Sequence, residues 1–145
     1  FKYVYKRLFG GGEGELTILD EDNILESDIQ ITAKPPGKKM KNLNLLSGGE
    51  KALTAISILF AIILAKPTPF CILDEIEAPL DDANIFRFGE YLKELSEDTQ
   101  FIAVTHRRGT MEAADYIYGV TMEKKAISKV IGLDLHEAHK MTDII

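Results

Sequence analysis

Cysteine is almost absent from this 145-residue chain: Cys71 stands alone, so no intramolecular disulfide can staple the fold. It lies in the apolar run from Phe70 to Leu73, where a small thiol reads as a buried core residue rather than a reactive one. A secretory signal is also lacking, and the chain opens on Phe1 without an initiator methionine, as an excised piece of a longer polypeptide would. The composition fits a reducing, intracellular setting. Long apolar runs are missing too. The longest, Ala52 to Ala65, is about 14 residues and contains Thr54 and Ser57, which is short for a bilayer span and suits a buried core helix. Positive charge is in deficit: 17 basic residues face 23 acidic ones, a net charge of -6, which gives no support for a broad nucleic-acid footprint. Finally, no glycine-rich loop ends in Lys-Ser or Lys-Thr. Gly10-Gly11-Gly12-Glu13-Gly14 has the glycines, but Glu13 and Glu15 follow the first of them, so it reads as a turn that ends a helix.

What is present is one domain's worth of chain with 46% apolar and 28% charged residues, enough to bury a real core. Phe1, Val4, Tyr5 and Leu8 fall at helical spacing and precede the glycines. Glu15 to Leu19 and Asp28 to Ala33 alternate polar and apolar residues around a turn-rich Asp20-Glu21-Asp22-Asn23, the pattern of a β-hairpin. Pro35 to Lys39 is a loop, and Lys34, Lys38, Lys39 and Lys41 form a local basic cluster read as a solvated face. Ser47 suits a helix N-cap with Glu50 three residues on, as a capping box requires, and the helix runs to about Ala65 before a Pro-rich stop. Phe70 to Leu73 is a short apolar strand of the kind buried in a parallel sheet. Asp81 or Asp82 caps the next helix, whose core face is Ile85, Phe88, Leu92 and Leu95. Phe101 to Thr105 is a second apolar strand ending at His106, and Ile117 to Thr121 and Ile127 to Leu133 are two more. A short helix is expected after Asp134. Repeated strand–helix–strand units predict an α/β fold with a mostly parallel central sheet, flanking helices and an N-terminal β-hairpin.

Ligands of open α/β sheets gather beyond the carboxyl ends of the strands, where Asp74, Glu75 and His106 all fall. An aspartate there can hold Mg²⁺ that neutralises phosphate charge, and the adjacent glutamate can orient an attacking water. Ser47-Gly48-Gly49 offers backbone N–H groups, a hydroxyl and a helix N-terminus together, an arrangement that binds anions. Each feature alone has a plain structural reading: two acidic residues where a strand meets solvent, a helix cap, a histidine after a strand. Their order and spacing argue for chemistry.

Leu-Ser-Gly-Gly-Glu, an apolar run into Asp-Glu, Pro-Leu-Asp, then an apolar strand into Thr-His resembles the signature motif, Walker B, D-loop and switch histidine of ABC-type ATPases. Glu50, where transporters usually carry glutamine, points to the chromosome-maintenance and repair branch. The strings Leu46 to Ala55, Phe70 to Glu75, Leu80 to Asn84 and Thr105 to Met111 closely resemble the C-terminal head segment of SMC (structural maintenance of chromosomes) proteins in their prokaryotic form. Leu8 to Glu13 and Pro35 to Lys38 resemble it as well, so only the tail beyond about Leu135 is uninformative. Glu77, where aspartate is frequent, is a small departure that touches no proposed catalytic role.

The resemblance implies a division into residues 1–9, the stump of a coiled coil, and 10–145, the C-terminal lobe of an ATPase head whose Walker A lobe is absent from this chain. It implies ATP and Mg²⁺ as cofactors, with Asp74 serving the metal and Glu75 the attacking water. Ser47, Gly48, Gly49 and Glu50 would meet nucleotide across a dimer of heads, His106 would lie near the γ-phosphate, and Asp81 near the head–head interface. Implied partners are an N-terminal head lobe, a second head, a kleisin subunit and, through the assembly, DNA; no membrane is implied, and the setting is the cytoplasm, at the nucleoid. The activity implied is ATP-dependent head engagement and hydrolysis that organises chromosomes. Two alternatives stay open: the head of a double-strand-break repair ATPase, against which the Thr-His-Arg-Arg-Gly-Thr-Met string speaks, and a non-catalytic module that binds a kleisin or DNA. An apolar face left by the absent lobe should make the isolated chain poorly soluble.

Overall fold

A computed structural model describes residues 1–124 and 126–135. The chain begins with helix α1 (Lys2–Phe9), followed by strands β1 (Glu13–Ile18) and β2 (Ile29–Lys34), a two-residue strand β3 (Lys41–Asn42) and a 3₁₀ turn (Leu43–Leu45). Helix α2 (Gly48–Ala65), strand β4 (Phe70–Asp74), helix α3 (Asp82–Leu95), strand β5 (Gln100–Val104), short helix α4 (Arg108–Glu112) and strands β6 (Tyr116–Lys124) and β7 (Ile127–Asp134) complete it. The helix expected after Asp134 lies outside the described residues apart from Leu135.

The core is helical. Val4, Tyr5, Leu8 and Phe9 of α1 pack with Leu53, Ile56, Phe60 and Ile63 of α2 and with Ile85, Phe88, Tyr91, Leu92 and Leu95 of α3. Phe60 is the hub: its ring stacks on Phe88 at 5.6 Å between centroids, lies 5.8 Å from Tyr91 and meets Phe101 edge-on at 6.2 Å. Full burial of such a ring contributes about 1.5–3 kcal/mol. Outside the core, α1 is tied down by Arg7 to Glu94 at 2.6 Å, Tyr3 to Glu94 at 3.2 Å and Lys2 to Glu15 at 2.8 Å. Gly10 closes α1 in the left-handed region (φ 68°), which lets its N–H and that of Gly11 bond back to Arg7 and Lys6.

The predicted hairpin is present, with β1 antiparallel to β2, and β3 adds a third strand that the sequence pattern did not signal. The sheet differs from expectation. In place of a mostly parallel central sheet, the described residues hold three separate sheets: β1-β2-β3 and β6-β7, both antiparallel, and the parallel pair β4-β5. The reason lies in the connections. β4–α3–β5 is a helical crossover that returns its second strand in parallel; α2 also bridges two strands, but β3 and β4 belong to different sheets, and β6 and β7, only two residues apart in sequence, pair antiparallel. Nor are β4 and β5 buried on both sides as their composition predicts. Leu73 is buried, but Phe70 is 57% exposed and Ile72 61%, and Cys71 is only half-buried. Helix α2 spans Gly48–Ala65, where the Ser47 cap and the Pro-rich stop predict it, and at 18 residues it is, by length and composition, able to cross a membrane, which the apolar run alone was expected to be too short to do. One face of it nonetheless belongs to the core, where Thr54 and Ser57 bury their hydroxyls by donating to the carbonyls of Glu50 and Leu53, each at 2.7 Å.

Candidate functional site

Parallel pairing sets the centre of the site. Asp74 lies opposite Val104 in the β4-β5 register, so both strands end together and their following residues emerge side by side. The backbone N–H of Glu75 donates to the Val104 carbonyl at 2.9 Å, and Glu75 adopts a left-handed conformation (φ 48°) that a non-glycine residue takes only under constraint. That turn brings its carboxylate Oε1 to 3.2 Å from Nδ1 of His106. With the proton on Nδ1, the imidazole donates to Glu75 and leaves Nε2 free to accept. Both side chains are more than half exposed, so the pair is open to a ligand. Asp74 is exposed as well, and among the described residues its carboxylate has no hydrogen-bond or ion-pair partner.

The Ser47 turn is organised as a full capping box. Ser47 Oγ accepts from the Glu50 N–H at 3.4 Å, and the Glu50 carboxylate accepts from the Ser47 N–H at 2.9 Å. Lys38 Nζ donates to the same carboxylate at 2.8 Å. The Lys38 ammonium, first, and the Ser47 amide hold the Glu50 carboxyl down at about 2. Glu50, expected to meet nucleotide, is therefore already engaged by the cap and by a loop lysine. Gly48 faces open space, and a Cβ on Gly49 would stand 3.3 Å from the Pro79 carbonyl, so the start of α2 abuts the segment leading to α3.

Asp81 caps α3: its Oδ1 accepts from the Asn84 N–H at 2.9 Å and its Oδ2 from the Asn84 side chain at 3.1 Å. Arg107 spans from β5 to this segment, donating to the Leu80 carbonyl at 3.0 Å and to Asp82 Oδ1 at 3.1 Å. Thus Asp74, Glu75 and His106 come together at one strand edge, and Arg107 joins that edge to the Asp81 turn. Among the described residues no hydrogen bond links Ser47 to Asp74, Glu75 or His106; the two motifs approach each other where Gly49 lies against the Pro79 carbonyl.

Two residues were assigned no role from the sequence, Glu77 being read there as a departure without catalytic consequence. Glu77 is buried, with 2% exposure, and accepts from the hydroxyls of Thr105 and, at 3.1 Å, Thr110. Arg107 sits beside the predicted histidine. Their only signal was proximity to the acidic and histidine motifs.

A family model described as the RecF/RecN/SMC N-terminal domain matches residues 4–129. The chromosome partition protein Smc of Bacillus subtilis (strain 168) is 59% identical over 137 residues, covering 94% of this chain. The chain spans only 12% of that relative's length. Among solved structures, the Smc head domain of Pyrococcus furiosus, with an extended coiled coil and bound to the C-terminal domain of ScpA, matches with a TM-score of 0.89 and 42% identity. That match covers 98% of this chain and 35% of the Smc chain. A chain from structural work on ATP-driven dimerisation and DNA-stimulated activation of SMC ATPases matches with a TM-score of 0.82 and 41% identity. It is covered to 86% by 98% of this chain, so the two are nearly coextensive.

Proposed function

The chain belongs to the RecF/RecN/SMC family and is a segment of an SMC head with the α/β part of the ABC-type ATPase fold, and from that premise we propose that it is the C-terminal lobe, catalytic only as part of a two-lobed head. The family model's own description names an N-terminal domain. The C-terminal reading is supported instead by the motifs: signature, Walker B, D-loop and switch histidine are all here, and no Gly-rich loop in the 145 residues ends in Lys-Ser or Lys-Thr.

The observation that carries the proposal is the meeting of Asp74, Glu75 and His106 at the ends of β4 and β5, with Glu75 and His106 at 3.2 Å. Asp74 fits a magnesium site. It is an exposed carboxylate at the end of β4 with no hydrogen-bond or ion-pair partner among the described residues. Magnesium is commonly held by one or two carboxylates together with phosphate oxygens and water. Bound there, magnesium would neutralise charge developing on the phosphoryl group. Glu75 accepts a proton from, and aims, the attacking water, while His106 fixes the Glu75 carboxylate and keeps Nε2 toward the phosphate side. Ser47, Gly48 and Gly49 present the α2 N-terminus to nucleotide held by a second head. A bound γ-phosphate then glues the heads, and its loss releases them.

The same reading assigns α1 to the base of a coiled coil. It assigns a ScpA-like kleisin and DNA as partners of the assembly, and the cytoplasmic nucleoid as its place of work. The test is ATP hydrolysis by this chain alone and mixed with a matching N-terminal lobe, with Glu75→Gln in parallel. Activity only in the mixture, reduced at least 100-fold by Glu75→Gln while ATP-dependent dimers accumulate, is the expected result. A folded mixture without activity, or activity indifferent to Glu75, favours the non-catalytic binding module.

A further inference from the structure

We infer that Glu77 is a positioning residue for this centre: through Thr105 and Thr110 it clasps the loop carrying Glu75 to the loop carrying His106. The inference rests on the ATPase reading and adds to it a residue that acts through others. Glutamate is seldom buried without partners, and Glu77, at 2% exposure, has two: Oε1 accepts from Thr105 Oγ1 and from Thr110 Oγ1, the latter at 3.1 Å. Thr105 immediately precedes His106, and its hydroxyl also accepts the Arg107 N–H at 3.0 Å, so the residues on both sides of the histidine are held by one oxygen. On the other loop, Ala78 N–H donates to the Glu75 carbonyl at 3.1 Å and Leu80 N–H to the Glu77 carbonyl at 2.9 Å, making the stretch from Glu75 to Leu80 a compact turn. The contacts close a ring: Glu75 to His106 through side chains, and Glu77, two residues after Glu75, to Thr105, one residue before His106.

Such a ring explains how Glu75 keeps its left-handed backbone. A strained conformation persists only when its surroundings over-determine it, and Glu75 has its own N–H on Val104 and the Glu77 clasp two residues on. Thr110 anchors the clasp to α4, and the Arg107 side chain extends it to Leu80 and Asp82. Glu77 is therefore placed to hold the catalytic pair while the Asp81 turn meets a second head.

The test uses the full polypeptide with both lobes. Because Glu77→Ala risks unfolding, the informative variants are Thr105→Val and Thr105→Ser. The first removes the hydroxyl at constant volume, and the second keeps it. The clasp predicts a 10- to 100-fold fall in kcat for Thr105→Val with KM within about twofold, rescue to near wild type by Thr105→Ser, and no further loss when Thr105→Val is added to Glu75→Gln. Unchanged kcat in a folded Thr105→Val head overturns the inference. So does a loss spread equally over KM and thermal stability that Thr105→Ser fails to rescue. If the wild-type rate is itself indifferent to Glu75, the ATPase reading falls, whatever Thr105 does, and the two failures are told apart.

Discussion

Glu50 shows how much one side chain can be asked to do. It closes the capping box of α2 through the Ser47 amide and pairs with Lys38 across a loop, and these contacts hold its carboxyl at about 2 against an ordinary 4.5. In the unfolded chain the group takes up a proton below about pH 4.5, while in the fold it stays ionised to about pH 2. Its stabilisation is accordingly complete above that window and is lost as pH falls through it. Glu50→Gln should lower the stability of the head by about 1 kcal/mol at pH 6, with the difference from wild type closing as pH approaches 2, measured by thermal unfolding across pH. The capping role of Ser47 and Glu50 could be read from a Ser-x-x-Glu spacing because it is local. Glu77 could not: its partners Thr105 and Thr110 lie 28 and 33 residues away, and no spacing rule reports a contact made by tertiary folding.

At the scale of elements, α2 and α3 hold the molecule together through Phe60. Phe60→Ala opens a cavity between Phe88, Tyr91 and Phe101, with an expected cost of about 3–5 kcal/mol, read as a lowered midpoint in urea at unchanged slope. The helices were legible because a 3.6-residue period marks its buried face whatever lies opposite: Ile85, Phe88, Leu92 and Leu95 were named from spacing, and all four are buried. Sheet organisation was not. Phe70 and Ile72 look the same in sequence whether the chain's own helices cover both faces of β4 or another lobe covers one of them. Likewise, Lys41 and Asn42 have nothing in their side chains to announce that they pair with Thr32 and Ala33 as a third strand.

Across the whole molecule, the exposed apolar surface is the largest departure from a self-sufficient domain. On the parallel pair, Phe70, Ile72, Ile102 and Val104 are each about half exposed or more, and Tyr118, Val120 and Val130 lie open on the β6-β7 hairpin. Patches of this extent are uncommon on chains that work alone. Expressed by itself the chain should aggregate, and co-expression with an N-terminal lobe should return it to the soluble, monodisperse fraction in size-exclusion chromatography; equal solubility in both conditions would leave the exposed β4-β5 face without its proposed cover.

The proposal that Ser47, Gly48 and Gly49 serve nucleotide held by a second head makes a sharper demand, that each ATP site is shared between heads. Mixing a head carrying Ser47→Arg with one carrying Glu75→Gln, each inactive alone, tests it directly. Half the dimers that form are mixed and each regains one site with an intact signature and an intact glutamate, so hydrolysis should return to roughly a quarter of the wild-type rate. A mixture as inactive as its components would contradict a composite site and, with it, the account of how this chain works.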